Sequence, residues 1–485
     1  MIKGRDLRIA IIGAGASGLM ALIKMREAGL TDVTVFEKAA ELGGTWHYNR
    51  YPGLTCDVPS LAYRYSFAPN PGWSHTFAGG PEILAYLKSV AVRHGVEPFM
   101  RFNSEVVSAE YNDGRWRIET VQGPQGEFDA VISAVGVLHH AKFPDIPGVG
   151  TFAGPEFHTS QWDQTVDLKD KRVGIIGAGS TATQTVIALT PVVQHLSLFM
   201  RTPQWMVRAP NLPITAEEHD AFAADPALLD EAYDRLADDQ NSKFAAAVVG
   251  ENPGAYRALV KACEDHLQAA VLDPELRARL TPDYPVGCKR LIMADGFYEA
   301  IQQDHAALVT ETIAAIEPAG VRTCDDRLHE LDILVLATGF DTHKFLRPMQ
   351  VVGQGGQTLD TAWAHANEGY LNVTIPGFPN WFMIGGPNSP VGNFSWLLTA
   401  ETQFGYAFKL IDHLRFGQAR VIVPTAIAAA AFNTAVKAKM ADTVWAGGCN
   451  SWYIDKNGNV ASWPWSWERF AQDMSEPILE DFEIS

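Results

Sequence analysis

Apolar and polar positions along the chain fall twice into one pattern. "LRIAII", residues 7–12, is a short, mostly apolar run without alternation, as expected of a strand buried on both faces. It leads into Gly13, Gly15 and Gly18, and then into "LMALIKMREAG", whose apolar positions recur at helical spacing. "VTVFEK" reads as a second strand and ends at Glu37. From residue 171, "KRVGIIGAGSTATQTVIALT" repeats strand, glycine turn and helix around Gly177 and Gly179, with Ala182 in the third place. Its second strand, "HLSLFMRTP", ends in Arg201 and Thr202. Strands alternating with helices in this way predict an α/β chain with parallel sheets.

The remainder follows other rhythms. Residues about 211–285 are rich in Ala, Asp and Glu at helical periodicity, which predicts a helical insert. "ITAEE" within it is a helix start, a Thr followed by two acids. Residues 451–470 are unusually aromatic. "DKNGN" there reads as a turn between short strands. Trp463, Trp465 and Trp467 alternate, and they fit either a core or an apolar pocket wall; Pro464 argues against a central strand.

The glycine turns carry the first chemistry. In G-x-G-x-x-G, one Gly allows the tight turn, one lets backbone approach a pyrophosphate, and one lets helix pack on strand. The phosphate then meets free N–H groups at the helix N-terminus. Glu37 lies about 20 residues beyond the last Gly of the first unit, where an acid binds ribose hydroxyls. That unit suits FAD or NAD. In the second, Arg201 stands where an acid would repel a 2′-phosphate, so this unit suits NADPH. Together they point to an FAD protein reduced by NADPH.

Composition narrows the field. A chain of 485 residues allows several domains, and 47% hydrophobic residues allow a large core. The net charge of −18 argues against nucleic acid and anionic membrane as partners, though it leaves room for a local basic pocket. No apolar run reaches 18 residues, and the N-terminus lacks the order of a signal peptide, so a cytoplasmic location is expected. The cysteines Cys56, Cys263, Cys288, Cys324 and Cys449 are scattered, which predicts free thiols and no metal site. Cys56 has no partner nearby in sequence, so electrons are expected to pass to oxygen or a diffusible acceptor rather than to a redox-active cysteine pair.

Five further stretches carry a family resemblance. Between the two units, Phe152, Gly154, His158, Trp162 and Asp163 fit F-x-G-x-x-x-H-x-x-x-W-[PD] at every fixed position. "GGTWHYNRYPGLTCD", residues 43–57, matches a second pattern through Gly43, Gly44, Trp46, Tyr51, Pro52, Gly53 and Asp57. "GCKRLI", residues 287–292, supplies a Lys-Arg pair, with "LATGFD" and "GGPNSP" further on. These resemble the Baeyer–Villiger monooxygenases over nearly the whole chain. The resemblance implies two Rossmann-like dinucleotide-binding domains, for FAD and NADP, with the helical insert in the second. It divides the chain into 1–150 and 343–485 for FAD and 151–342 for NADP. It implies conversion of a small-molecule ketone to an ester or lactone with O2 through a C4a-peroxyflavin. Arg290 would stabilise the peroxide and the oxyanion, and Asp57 would orient Arg290. On the FAD side Gly13, Gly15, Gly18, Glu37, Thr45 and Trp46 are implied ligands, with Asp57 beside them. On the NADPH side they are Gly177, Gly179, Ser180, Thr181, Arg201, Thr202 and Lys289. Phe152 to Asp163 would hold the linker while the NADP domain moves, or simply pack a domain junction. Arg290 also reads as a second phosphate ligand and Asp57 as a turn residue. The alternative activities are N- or S-oxygenation, an NADPH-dependent flavoprotein reductase, and a non-catalytic FAD-binding partner. Neither the ketone nor the oligomeric state can be read from these residues.

Overall fold

The computed structural model describes residues 5–392, 394–449, 451–455 and 457–485. In chain order its nucleotide-binding elements begin with β1 (Ile9–Ile12), α1 (Ala16–Glu27), β2 (Val33–Phe36), β3 (Met100–Arg101) and β4 (Ala130–Ser133). They continue through β5 (Glu156–His158), β6 (Arg172–Ile176), α2 (Ser180–Leu189) and β7 (His195–Phe199). The insert helices α3 (Ala227–Asp239) and α4 (Pro253–Ala270) come next, then β8 (Ala306–Val309), β9 (Ile333–Leu336) and β10 (Trp381–Met383).

These strands make two five-stranded parallel sheets, ordered β10-β4-β1-β2-β3 and β8-β7-β6-β9-β5. All four residues of β1, β4 and β9 are buried, which is why their sequences are continuously apolar rather than alternating. Each sheet contains a crossover from one strand through a helix to its parallel neighbour, β1-α1-β2 and β6-α2-β7. The glycines follow the same logic. Gly13 has φ +104° and Gly177 φ +139°, a conformation that costs glycine nothing. A Cβ on Gly18 would overlap the Gly13 carbonyl, so Gly18 is the helix-to-strand contact.

The insert is helical from Ala216 to Leu280. Thr215 and Glu218 close a reciprocal capping box on its first helix, as "ITAEE" predicts. A π-helical turn, Gln240–Ala245, follows α3. Buried Arg64 ties the insert to the first sheet's side through an ion pair with Asp230 and by stacking over Tyr233.

Two expectations need correction. Cys288 and Cys449 are joined by a disulfide with their Cα atoms 6.2 Å apart, leaving Cys56, Cys263 and Cys324 free. Their separation of 161 residues hides the pairing, because only the fold brings them together. The stretch "DKNGN" is flanked by a single bridge between Ile454 and Val460, and no strand adjoins it among the described residues; Lys456 lies outside those residues. Trp463 is fully buried in the main core, and Trp465 and Trp467 pack against the same cluster. The Trp463 indole N–H donates to the Ser466 carbonyl, so the segment turns rather than running as a strand.

Candidate active site

The glycine turns of the two sheets open into one cavity of about 1760 Å³. That exceeds the ~300–1,000 Å³ of an ordinary ligand pocket, and leaves room for more than one bound molecule. Every candidate residue except Gly18 lines it: Gly13, Gly15, Glu37, Thr45, Trp46 and Asp57 from one side, Gly177, Gly179, Ser180, Thr181, Arg201, Thr202, Lys289 and Arg290 from the other.

The local geometry fits two dinucleotides. Gly15 and Gly179 are the N-cap residues of α1 and α2, without a side-chain cap and without an acid in the first turn. The first-turn N–H groups therefore remain available to an anion. A Cβ on Gly179 would meet nothing within 4 Å, and one on Gly15 nothing closer than 3.5 Å, so backbone borders open space at both turns. Glu37 is buried, and its carboxylate accepts from the backbone N–H of Ala14 at 2.7 Å and of Ala39 at 2.8 Å. These bonds fix it at the end of β2 with lone pairs still facing the cavity. Thr45 opens a short helix, Thr45–Tyr48, and Trp46 Nε1 donates to the Tyr63 hydroxyl at 3.1 Å.

Arg201 and Lys289 form the basic end. Neither makes an ion pair with a carboxylate among the described residues. Burial, and then the nearby Arg201 charge, push Lys289 below the usual lysine pKa. Its ammonium lies 4.7 Å from the Tyr284 ring centroid. Asp283 acts on Lys289 from a distance, but no carboxylate among the described residues pairs with either cation, and two neighbouring cations so placed suit a phosphate.

Arg290 and Asp57 meet at the centre. Arg290 Nε donates to Asp57 Oδ2 at 3.0 Å, and Nη2 donates to the same oxygen. Both side chains are partly open to the cavity, 30% and 25% exposed. Burial acts to lower the Arg290 pKa, but the Asp57 charge and hydrogen bonds with Asp57 and Tyr453 outweigh it and raise the value, so the guanidinium stays charged. Asp57 is thus an ion-pair partner and not only a turn residue.

The sequence patterns at 43–57 and 152–163 explain how the halves are joined. Tyr51 is buried in the core of the second sheet, and its hydroxyl donates to Gln184 Oε1 on α2 at 2.8 Å. Gln184 in turn donates to the Thr55 carbonyl at 3.1 Å. Gly53 has φ +82°, and a Cβ there would lie 2.6 Å from the Gln184 carbonyl oxygen, so this loop rests directly on α2. His158 is fully buried and does not line this cavity. Its Nδ1 accepts from the Ser160 N–H at 3.1 Å, which leaves Nε2 to donate to the Gly339 carbonyl at 3.0 Å. Burial lowers its pKa and keeps the ring neutral. Phe152 packs behind the second sheet, while Trp162 meets Phe157 edge-on at 4.8 Å. Asp163 accepts from Thr165 in a turn.

Several wall residues escaped the sequence reading. Phe244, Gln240 and Leu259 of the insert line the cavity, as do His139 and His140. Burial and the neighbouring His140 depress His139 to about 3. Tyr453 stands behind Arg290. The π-turn that carries Gln240 and Phe244 has no sequence signature; an aromatic next to the Trp-rich tail was the only hint for Tyr453.

Two nucleotide-cradling sheets sharing one cavity, with a paired arginine at its centre, define a flavin- and nicotinamide-dependent oxidoreductase. The family model for flavin-binding monooxygenase-like proteins matches residues 6–211. A Baeyer–Villiger monooxygenase of Streptomyces coelicolor is 37% identical over 99% of this chain and 92% of its own. An uncharacterised monooxygenase of Mycobacterium tuberculosis is 45% identical over 100% of this chain and 97% of its own. The crystal structure of cyclohexanone monooxygenase from Rhodococcus sp. Phi1 bound to NADP+ superposes with a TM-score of 0.88, at 30% identity over 99% of both chains. The chain belongs to the Baeyer–Villiger monooxygenase family, and its cofactors are FAD and NADP. No helix among the described residues is long and apolar enough to cross a membrane.

Proposed function

We propose that this monooxygenase inserts one oxygen atom beside the carbonyl of a small ketone, giving an ester or lactone, and that Arg290 is the group that acts on the reacting atoms. The observation that carries this reading is the Arg290–Asp57 pair, set in the one cavity onto which both glycine turns open. When bound, FAD supplies the oxygen-activating chemistry and NADPH the hydride.

The chain's own residues bind, orient and exclude water. Gly13 and Gly15 would seat the FAD pyrophosphate on α1, and Glu37 would accept from ribose hydroxyls. Thr45 and Trp46 would close over the same cofactor. Gly177, Gly179, Ser180 and Thr181 would seat NADPH on α2, with Arg201, Thr202 and Lys289 around its 2′-phosphate. Arg290 would donate to the negative charge that builds on the substrate carbonyl oxygen, and a permanent guanidinium does so at any working pH. Asp57 holds that guanidinium by its Nε and Nη2 edge, leaving Nη1 unshared by the carboxylate. Phe244, Leu259, Phe394 and Trp396 give an apolar wall that keeps water away from the reacting atoms.

The test is product analysis with NADPH, O2 and a panel of cyclic and linear ketones, against amines and sulfides. Esters or lactones are expected, and Arg290→Ala should abolish them while NADPH is still consumed. Oxygenation of amines or sulfides alone, or normal ester yield from Arg290→Ala, would overturn the reading.

A further inference from the structure

Arg290 is held from more than one side. Asp57 takes Nε and Nη2. On the other side stands Tyr453, only 3% exposed, whose hydroxyl lies beside Gly392 together with the guanidinium Nη1. The geometry at Gly392 shows how closely they meet. A Cβ built there would collide with Arg290 Nη1 and lie 2.7 Å from the Tyr453 hydroxyl. Gly392, at φ +86°, therefore leaves a gap in which the guanidinium and phenol face each other.

The phenol is itself rigidly placed. Its ring stacks on Trp452 at 4.1 Å and lies 5.4 Å from buried Trp445. The cluster includes Val248 and Val249 of the insert and Val436 and Met440 of the C-terminal part. The Tyr453 carbonyl accepts from the Ala461 N–H at 2.7 Å. The Cys288–Cys449 disulfide leaves the chain just before Arg290 on one side and just before Tyr453 on the other. The two segments that carry the pair are thus covalently joined. Tyr453 does not line the cavity, whereas Trp452 and Ile454 on either side of it do.

We propose that Tyr453 is a positioning residue for Arg290: its hydroxyl oxygen accepts from Nη1 and, with Asp57 on the opposite edge, sets how far the guanidinium reaches into the cavity. This rests on the assignment of Arg290 to the reacting atoms. Burial raises the Tyr453 pKa, although the Arg290 charge opposes this, so the phenol remains neutral and does not compete with Asp57 for the charge. A neutral anchor fixes direction without neutralising the cation. That suits an arginine that must still answer negative charge in the cavity.

Tyr453→Phe tests this, because it removes one oxygen and keeps the packed ring. The first measurement needs no cofactor: the rate at which phenylglyoxal modifies Arg290, followed by peptide mass spectrometry on the FAD-free protein. It should rise several-fold in the variant, with the unfolding midpoint unchanged within a few degrees. The second is ester formed per NADPH consumed by the FAD-loaded enzyme. It should fall about tenfold, the usual scale for losing a hydrogen bond to a charged group, while KM for NADPH moves less than twofold. Wild-type values in both measurements would overturn the proposal. So would a fall in coupling that Tyr453→Leu and Tyr453→Phe share equally, without faster Arg290 modification, because that marks a packing role. If the wild-type enzyme makes no ester from any ketone, the functional reading fails, and the modification rate still decides the role of Tyr453.

Discussion

Replacing Arg201 by Ala should separate the two nicotinamide cofactors. Arg201 lies at the cavity wall after β7, beside Lys289, with no acid paired to either among the described residues. A charge-assisted hydrogen bond to phosphate is worth about 1.5–3 kcal/mol, or roughly 10- to 150-fold. Arg201 is exposed and Lys289 remains in the variant, so the low end applies: KM for NADPH should rise about tenfold, and KM for NADH less than twofold. The pH dependence adds a second, independent reading. Lys289 sits below its ordinary pKa because of burial first and Arg201 next. As pH rises it loses its charge earlier than an ordinary lysine, so NADPH binding should weaken on the alkaline side sooner than usual. Removing Arg201 takes away a like charge and moves the Lys289 pKa upward, so the alkaline limb of log(kcat/KM) for NADPH should shift to higher pH. Steady-state kinetics with both cofactors across neutral to alkaline pH would show both effects. Equal loss for NADH and NADPH would refute the phosphate assignment. An unmoved alkaline limb would refute the coupling of the two cations.

Two predictions concern how the chain is held together. Gly53→Ala should destabilise the protein by about 2 kcal/mol, from a left-handed backbone conformation and a Cβ 2.6 Å from the Gln184 carbonyl oxygen. Denaturant midpoints would measure it, Gly53→Asn should be nearly as harmful because the overlap persists, and a neutral Gly53→Ala would show that the loop does not rest on α2. The air-oxidised protein should show three free thiols when unfolded without reductant, and five with it. Closing 161 residues by the Cys288–Cys449 disulfide contributes up to about 5 kcal/mol on the chain-entropy account, so the reductant should also lower the denaturation midpoint. Five thiols in the oxidised sample would remove the cross-link.

What could be read from the sequence was what is local. A glycine turn between a buried strand and a helix is set by a dozen consecutive residues, so Gly13, Gly15, Gly18, Gly177 and Gly179 could be read without the fold. The capping box at Thr215 and Glu218 is equally local. Arg290 and Asp57 lie 233 residues apart, and no periodicity links them; a family pattern did. Tyr453, Gln184 and the Cys288–Cys449 pair had neither a local pattern nor a family one. The alternation of Trp463, Trp465 and Trp467 looks strand-like, yet Pro464 removes a donor and the Trp463 N–H satisfies itself on Ser466. Spacing alone therefore misstates the geometry of that segment.

The His158 segment shows why a strongly patterned stretch need not be catalytic. β5 pairs with β9 at the edge of the second sheet, and His158 reaches past it to Gly339, where the chain leaves β9 toward the first sheet. The outgoing and returning connections also bond directly: the Lys142 N–H donates to the Gly339 carbonyl at 2.9 Å, and the Thr338 hydroxyl to the Lys142 carbonyl at 2.6 Å. Gly339 thus receives both crossings on one oxygen. Thr338, Gly339 and Phe340 are themselves cavity wall. A neutral His158, fixed in one tautomer by Ser160, sets that wall from behind without touching the cavity. A charged or rotated ring would present a lone pair or a second proton to the wrong partner. The demand for histidine here is one of hydrogen-bond direction. Phe152, Gly154 and Trp162 meet the packing demand around it, Gly154 because a Cβ would lie 2.8 Å from the Phe152 ring. Phe152, Gly154, His158 and Trp162 thus pack the junction at which the outgoing and returning connections meet.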